Sequence, residues 1–194
     1  TFLTTDTFVG PFQNYDARHI EDSWRAFNNL FIVLYPDARA DQAVGVLREW
    51  GDEKWALQRA MAYAGFDVAE LTGRDQFFAQ FNIGTSLVAL GDYEQAAEAY
   101  DLAYGLQAEL SDFDKPIRIL WYQTGPYAAY FNSGSYQKVI DLADAALAIL
   151  PEPVLEESLY WRGLAAAELN DSAQSEADLN LAHSLNPQLF PVEE

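Results

Sequence analysis

The feature that most constrains this chain is an internal repeat. Three segments align: FFAQFNIGTSLVALGDYEQAAEAYDLAYGLQA from Phe77, LWYQTGPYAAYFNSGSYQKVIDLADAALAILP from Leu120, and EESLYWRGLAAAELNDSAQSEADLNLAHSLNP from Glu156. Self-similarity at a fixed period marks a fold made by stacking one supersecondary unit on the next. Each copy reads as two helices joined by a turn. Gly91, Gly134 and Asn170 stand where the first helix must end, and these residue types tolerate the left-handed backbone that ends helices. Asp92, Ser135 and Asp171 follow and suit the cap of the second helix. Pro151 and Pro187 close the second and third copies, because proline cannot continue a helix.

Other positions repeat by size. Gly84, Leu87, Tyr93, Ala96, Tyr100 and Ala103 of the first copy correspond to Tyr127, Tyr130, Tyr136, Val139, Ala143 and Ala146 of the second. In the third they correspond to Gly163, Ala166, Ser172, Ser175, Leu179 and Ala182. Ala96 and Ala103 lie seven residues apart on one helix face, and Tyr100 fills the space between them. The copies are offset by 43 and then 36 residues. Against a unit of about 34 residues, the larger offset places a long connecting loop at Leu110–Arg118.

These residues resemble the tetratricopeptide-repeat (TPR) family, in which small and large side chains let two antiparallel helices pack closely. The resemblance implies a mainly α fold, a TPR-like α-solenoid of helix hairpins, with units at 77–110, 120–153 and 156–189. Upstream, Ala62, Phe66 and Ala69 echo Ala96, Tyr100 and Ala103, so residues 37–76 are expected to form a degenerate leading helix pair, its first helix near Arg39–Trp50.

The resemblance also implies a function. TPR arrays bind proteins or peptides in a groove lined by the first helices of their units. By alignment the groove side chains are Phe78, Asn82 and Thr85, then Trp121, Thr124, Ala128 and Asn132, then Tyr160, Trp161 and Leu164. Aromatics there provide anchor pockets and asparagines hydrogen-bond a peptide backbone, unless the same residues serve packing between repeats. Some TPR proteins grip acidic C-terminal peptides with groove lysines and arginines. After residue 76 the basic side chains are Lys115, Arg118, Lys138 and Arg162, and of these only Arg162 lies on a first helix. An apolar or basic extended peptide is the better electrostatic match.

Residues 1–36 follow a different pattern. Thr1–Thr7 is rich in β-formers, GPFQN reads as a turn, Ala17–Asn28 has helical spacing at Ile20, Trp24 and Phe27, and Leu30–Tyr35 (LFIVLY) reads as a fully buried strand ended by Pro36. This strand–turn–helix–strand order resembles the C-terminal end of a papain-like cysteine peptidase domain of the bacteriocin-processing type. Asp6 falls where that family places the aspartate that orients the catalytic histidine. The nucleophilic cysteine and the histidine would lie upstream of Thr1, and His19 is not at the family's position. With one member of a triad this chain is expected to have no peptidase activity. Two strands detached from a sheet leave unpaired backbone groups. Three remedies are expected: a separate upstream peptidase half, strand pairing with further copies of the chain, or packing onto the first helices.

Composition removes several function classes. The absence of cysteine rules out disulfides, a thiolate nucleophile and cysteine-ligated zinc. The two histidines, His19 and His183, form no helical metal-ligand pair, so no metal or cofactor is expected. A net charge of -19 repels nucleic acid and anionic membrane surfaces. No apolar run approaches the length of a membrane span. Asn170-Asp171-Ser172 is a glycosylation sequon. Together with the peptidase-type resemblance it points to an extracellular or cell-surface location.

Overall fold

The computed structural model describes residues 2–6 and 10–190, with side chains from Phe12 onward. The three aligned segments fold as three helix hairpins. The first is α4 (Gly73–Leu90) with α5 (Tyr93–Glu109), the second α6 (Gly125–Asn132) with α7 (Tyr136–Leu147), and the third α8 (Glu156–Glu168) with α9 (Ser172–Leu185). Successive hairpins pack side by side: α6 lies against both α4 and α5, and α8 against both α6 and α7. This is the TPR-like solenoid that the repeat implies.

The punctuation acts as the residue types require. Gly91, Gly134 and Asn170 all have positive φ, at 82°, 74° and 63°. At each turn the backbone reverses and the following residue starts the second helix. Only Asp171 caps through its side chain, accepting from Gln174 N at 3.1 Å. Asp92 and Ser135 stand at the cap position without that bond. The interval Leu110–Arg118 is a loop, as the spacing predicts. Helix α7 stops four residues before Pro151, and α9 two before Pro187.

Tight packing follows from size complementarity across each hairpin. Tyr100 is fully buried, and a Cβ on Gly84 would come within 2.7 Å of its ring. In the third unit a Cβ on Gly163 would come within 2.9 Å of Leu179. The second unit inverts the pair: Tyr127 and Ala143 are both fully buried. One core cluster runs through Phe77, Phe81, Tyr100, Tyr127, Tyr130 and Val139. A smaller one, Leu147, Leu159, Ala182 and Phe190, closes the C-terminal end. Polar ties join the units. Tyr127 Oη and Ser158 Oγ are 2.9 Å apart, Tyr130 Oη donates to Asp101 at 2.8 Å, and Arg162 Nη1 donates to Asp144 on α7; within the third unit Arg162 also grips Asp178 through two bonds of 2.7 and 2.8 Å.

A leading pair precedes the repeats: α2 (Ala40–Leu47) and α3 (Glu53–Glu70), joined by a 3-10 turn at Arg48–Gly51. Helix α3 packs on α4, but not with the face the alignment selects. Ala62 and Ala69 are exposed and Phe66 is 70% exposed, whereas Ala64 is buried and Met61 packs on the core. The packed stripe is therefore rotated from the expected one. Apolar residues lie all round this helix, and the alignment matched the wrong set.

The N-terminal part also differs from its sequence reading. The chain runs β1 (Phe2–Asp6), β2 (Gly10–Tyr15), then α1 (Ala17–Arg25), so the order is strand–strand–helix. The strands pair antiparallel with an irregularity between Thr4 and Asp6. GPFQN lies within β2 and is not a turn. Leu30–Tyr35 forms no strand; it is an exposed connector in which Leu34 is 91% exposed. An apolar β-branched run has the composition of a buried strand, but a strand needs a ladder partner, and among the described residues none pairs with it. Asp6 ends β1; its side chain lies outside the described residues.

Candidate functional site

Helix α4 carries Asp75, Asn82 and Ser86 at helical intervals on one face, and the end of α1 lies across it. Asn82 is 2% exposed and donates its amide to the Arg25 carbonyl at 2.7 Å. Gln123, just after the 3-10 turn Ile119–Trp121, donates to the Ala26 carbonyl. Asn28 donates to Ser86 Oγ at 3.0 Å. The repeat face thus holds two successive backbone carbonyls and one side chain of its own N-terminal segment.

Arg25 anchors that segment. It is 7% exposed, although an arginine is seldom buried without partners. Its guanidinium lies 3.2 Å from Asp67 on α3, 3.5 Å from Asp75 on α4 and 3.4 Å from Asp22 on α1. Two of these carboxylates belong to the helical face and one to the segment itself. Local backbone chemistry sets the geometry. Asp16 caps α1 by accepting from Arg18 N at 2.8 Å, and Asn28 and Asn29 take positive φ of 53° and 52°, which ends the helix beside Ser86. Asparagine is the residue type, after glycine, that adopts this conformation most readily.

Most of the aligned groove residues are in contact with neighbouring side chains or backbone. Phe78 is buried beneath the Arg74 guanidinium, 5.4 Å from its ring centroid. The Thr85 hydroxyl bonds the Phe81 carbonyl and sits 3.3 Å from Tyr100 Oη. Trp121 and Thr124 are not on a first helix, because Pro126 restarts the helix at Gly125 after the 3-10 turn. A proline deeper inside would lose a backbone bond and clash with the preceding turn. Asn132 is exposed, but its amide donates back to Ala128 of its own helix at 2.8 Å. Tyr160 lies against Phe190, with ring centroids 4.6 Å apart, and Trp161 lies 5.6 Å from Phe131. Ala128 and Leu164 are half-buried. Of the aligned set, Asn82 hydrogen-bonds the N-terminal segment. Sequence reasoning missed Asp67, Asp75, Ser86, Gln123 and the segment itself. The one available signal was RAFNN, an arginine followed by a helix-stopping asparagine pair.

Among the described residues three buried polar atoms have no partner: Asn82 Oδ1, Tyr104 Oη and Trp121 Nε1. The first lies on the α4 face just described. Four core tyrosines also have displaced ionisation. Burial pushes Tyr127 up to about 12 and raises Tyr100, Tyr104 and Tyr130 well above the ordinary phenol range. Among the described residues no group of three potential metal ligands forms, and no helix is long and apolar enough to cross a membrane.

Comparison with known proteins adds one match. No curated protein and no solved structure is detectably similar to the chain. The family model described as tetratricopeptide repeat matches residues 79–110, which takes in most of α4 and all of α5, so the first of the three hairpins is similar to a tetratricopeptide repeat.

Proposed function

We propose that this chain is a protein-interaction module that takes a peptide or partner segment on the first-helix face of its hairpins, and that it carries no catalysis of its own. Tetratricopeptide repeats generally mediate protein–protein interaction and are typically non-catalytic. One observation carries the reading: Asn82 and Gln123 donate to adjacent backbone carbonyls of a peptide segment crossing that face. Bonds to main-chain carbonyls do not depend on the side chains of that segment, so a foreign segment meets the same donors. The test is a peptide-array screen of the full chain, with binders mapped by amide chemical shifts. The reading expects binders whose shifts centre on α4 and the turn at Ile119–Trp121. Binders that map only elsewhere, or none, would defeat it.

A second reading draws on the exposed run Leu30–Tyr35. Apolar stretches of this kind mark association sites. In this reading the run packs against a further copy of the chain, making a self-assembled structural subunit. A related variant has the covering partner be a peptidase half that contributes the missing triad members beside Asp6. Analytical ultracentrifugation over a wide concentration range separates them: reversible self-association supports the first, and a monomer at every concentration removes it.

A further inference from the structure

We propose that the α4 face is an arginine-reading site, and that the chain's own Trp24–Asn28 is a built-in occupant which an arginine-bearing segment of a partner displaces. The inference rests on the peptide-binding reading above and adds the ligand's chemistry and its competitor.

Three observations support it. The first is charge. Asp67 and Asp75 arrive from two different helices and flank one guanidinium, with Asn82 beside them to take the adjoining carbonyl. A planar guanidinium with several donors suits two carboxylates approaching from different sides, where a lysine would meet them as a point charge. The net charge of -19 favours the approach of a basic segment. The second is the exposure of the apolar side chains around the anchor. Trp24 and Phe27 on either side of the anchor are 38% and 53% exposed, and the chain from Leu30 to Tyr35 is exposed throughout. Polar bonds hold the segment at Arg25, Ala26 and Asn28, and Ala26 also packs on the core cluster. The third is an unmet bond. Asn82 Oδ1 is buried without a donor, because the helical end of α1 presents its carbonyl there but no spare N–H. An extended segment presents both groups and fills both positions.

Competition sets the expected size of the effect. A tethered occupant acts at an effective concentration in the millimolar range, so a free peptide binds weakly until the tether's anchor is cut. Apparent affinity scales with the fraction of molecules whose site is open. The experiment uses the full chain and a dye-labelled synthetic peptide with the sequence of residues 16–30, read by fluorescence anisotropy. The chain carrying Arg25→Ala should bind this peptide at least about tenfold more tightly than the parent chain. A peptide in which its own arginine is alanine should lose that gain, as should the Arg25→Ala chain further altered by Asp67→Asn and Asp75→Asn. Circular dichroism establishes that each variant is folded. Should Arg25→Ala unfold, hydrogen exchange on the parent chain provides the readout: saturating peptide should speed exchange of the Trp24–Leu30 amides. The proposal is overturned if Arg25→Ala binds no better than the parent, if the arginine-free peptide binds it equally well, or if bound peptide leaves those amides unchanged. Array binders that lack arginine yet map to α4 would overturn arginine reading while leaving peptide binding intact. An array with no binder on α4 would remove both.

Discussion

Two glycine-to-alanine substitutions on adjacent helices should change stability in opposite directions. Gly84 on α4 and Gly105 on α5 are both inside helices, where alanine is favoured by about 0.5–1 kcal/mol. At Gly105 a new Cβ meets nothing within 4 Å, so Gly105→Ala should stabilise the chain by about that amount. At Gly84 it would stand 2.7, 2.8 and 2.9 Å from three ring atoms of Tyr100. The ring has little room to retreat. It is fully buried, and its hydroxyl occupies the space where a Cβ on Gly125 would stand. Overpacking of this kind costs about 1–3 kcal/mol, which exceeds the helix gain. Gly84→Ala should therefore destabilise by roughly 1–2 kcal/mol, read as a lower urea midpoint at unchanged m-value. The cause can be isolated. Tyr100→Ala alone should cost about 3–5 kcal/mol, but in its presence Gly84→Ala should become neutral or stabilising, a coupling of about 2 kcal/mol. If Gly84→Ala stabilises the chain as Gly105→Ala does, or if its cost persists without the Tyr100 ring, the size-complementarity argument is wrong.

Two further predictions concern buried polar groups. Tyr127 is held up to about 12 by burial, against an unfolded value near 10, and Tyr100, Tyr104 and Tyr130 are raised too. The unfolded chain loses these protons first, so their contribution is complete below about pH 10 and is lost as pH rises through the folded values. Ionisation of these four tyrosines should be accompanied by loss of far-ultraviolet dichroism above about pH 10; their ionisation with the helices intact would refute this. Asp178 is 3% exposed and takes two bonds from Arg162, so Asp178→Asn should destabilise by about 3 kcal/mol in urea unfolding, and a change below about 0.5 kcal/mol would contradict the bidentate geometry.

What the sequence revealed and what it hid divide on physical lines. Local signals read correctly: Gly91, Gly134 and Asn170 end helices with positive φ, and Leu110–Arg118 loops out between units. These depend on a few adjacent residues and one backbone conformation. Size complementarity was legible too, because Gly84 with Tyr100 and Gly163 with Leu179 recur at fixed intervals. Non-local facts did not read out. LFIVLY has strand composition but finds no ladder, and composition cannot show whether a partner strand exists. The packed face of α3 was misjudged because a helix apolar on several sides has no single stripe to follow. Occupation of the α4 face depends on residues as far apart as Ala26 and Gln123, and no periodicity links them. Asn82 stands on the first helix where the alignment puts it, and its amide bonds the chain's own Arg25 carbonyl. The alignment misplaced Trp121 and Thr124 because Pro126 breaks that helix in the second unit.

Peptide binding on the α4 face requires Asn82 and Gln123 to serve as donors to a peptide backbone. Their side-chain amide resonances, assigned by nuclear magnetic resonance and followed as the arginine-bearing peptide is titrated into the Arg25→Ala chain, report this directly. Both amides should shift along one saturable curve with the same dissociation constant as the anisotropy titration. If the peptide binds while both resonances stay in place, the binding face lies elsewhere and the central claim fails.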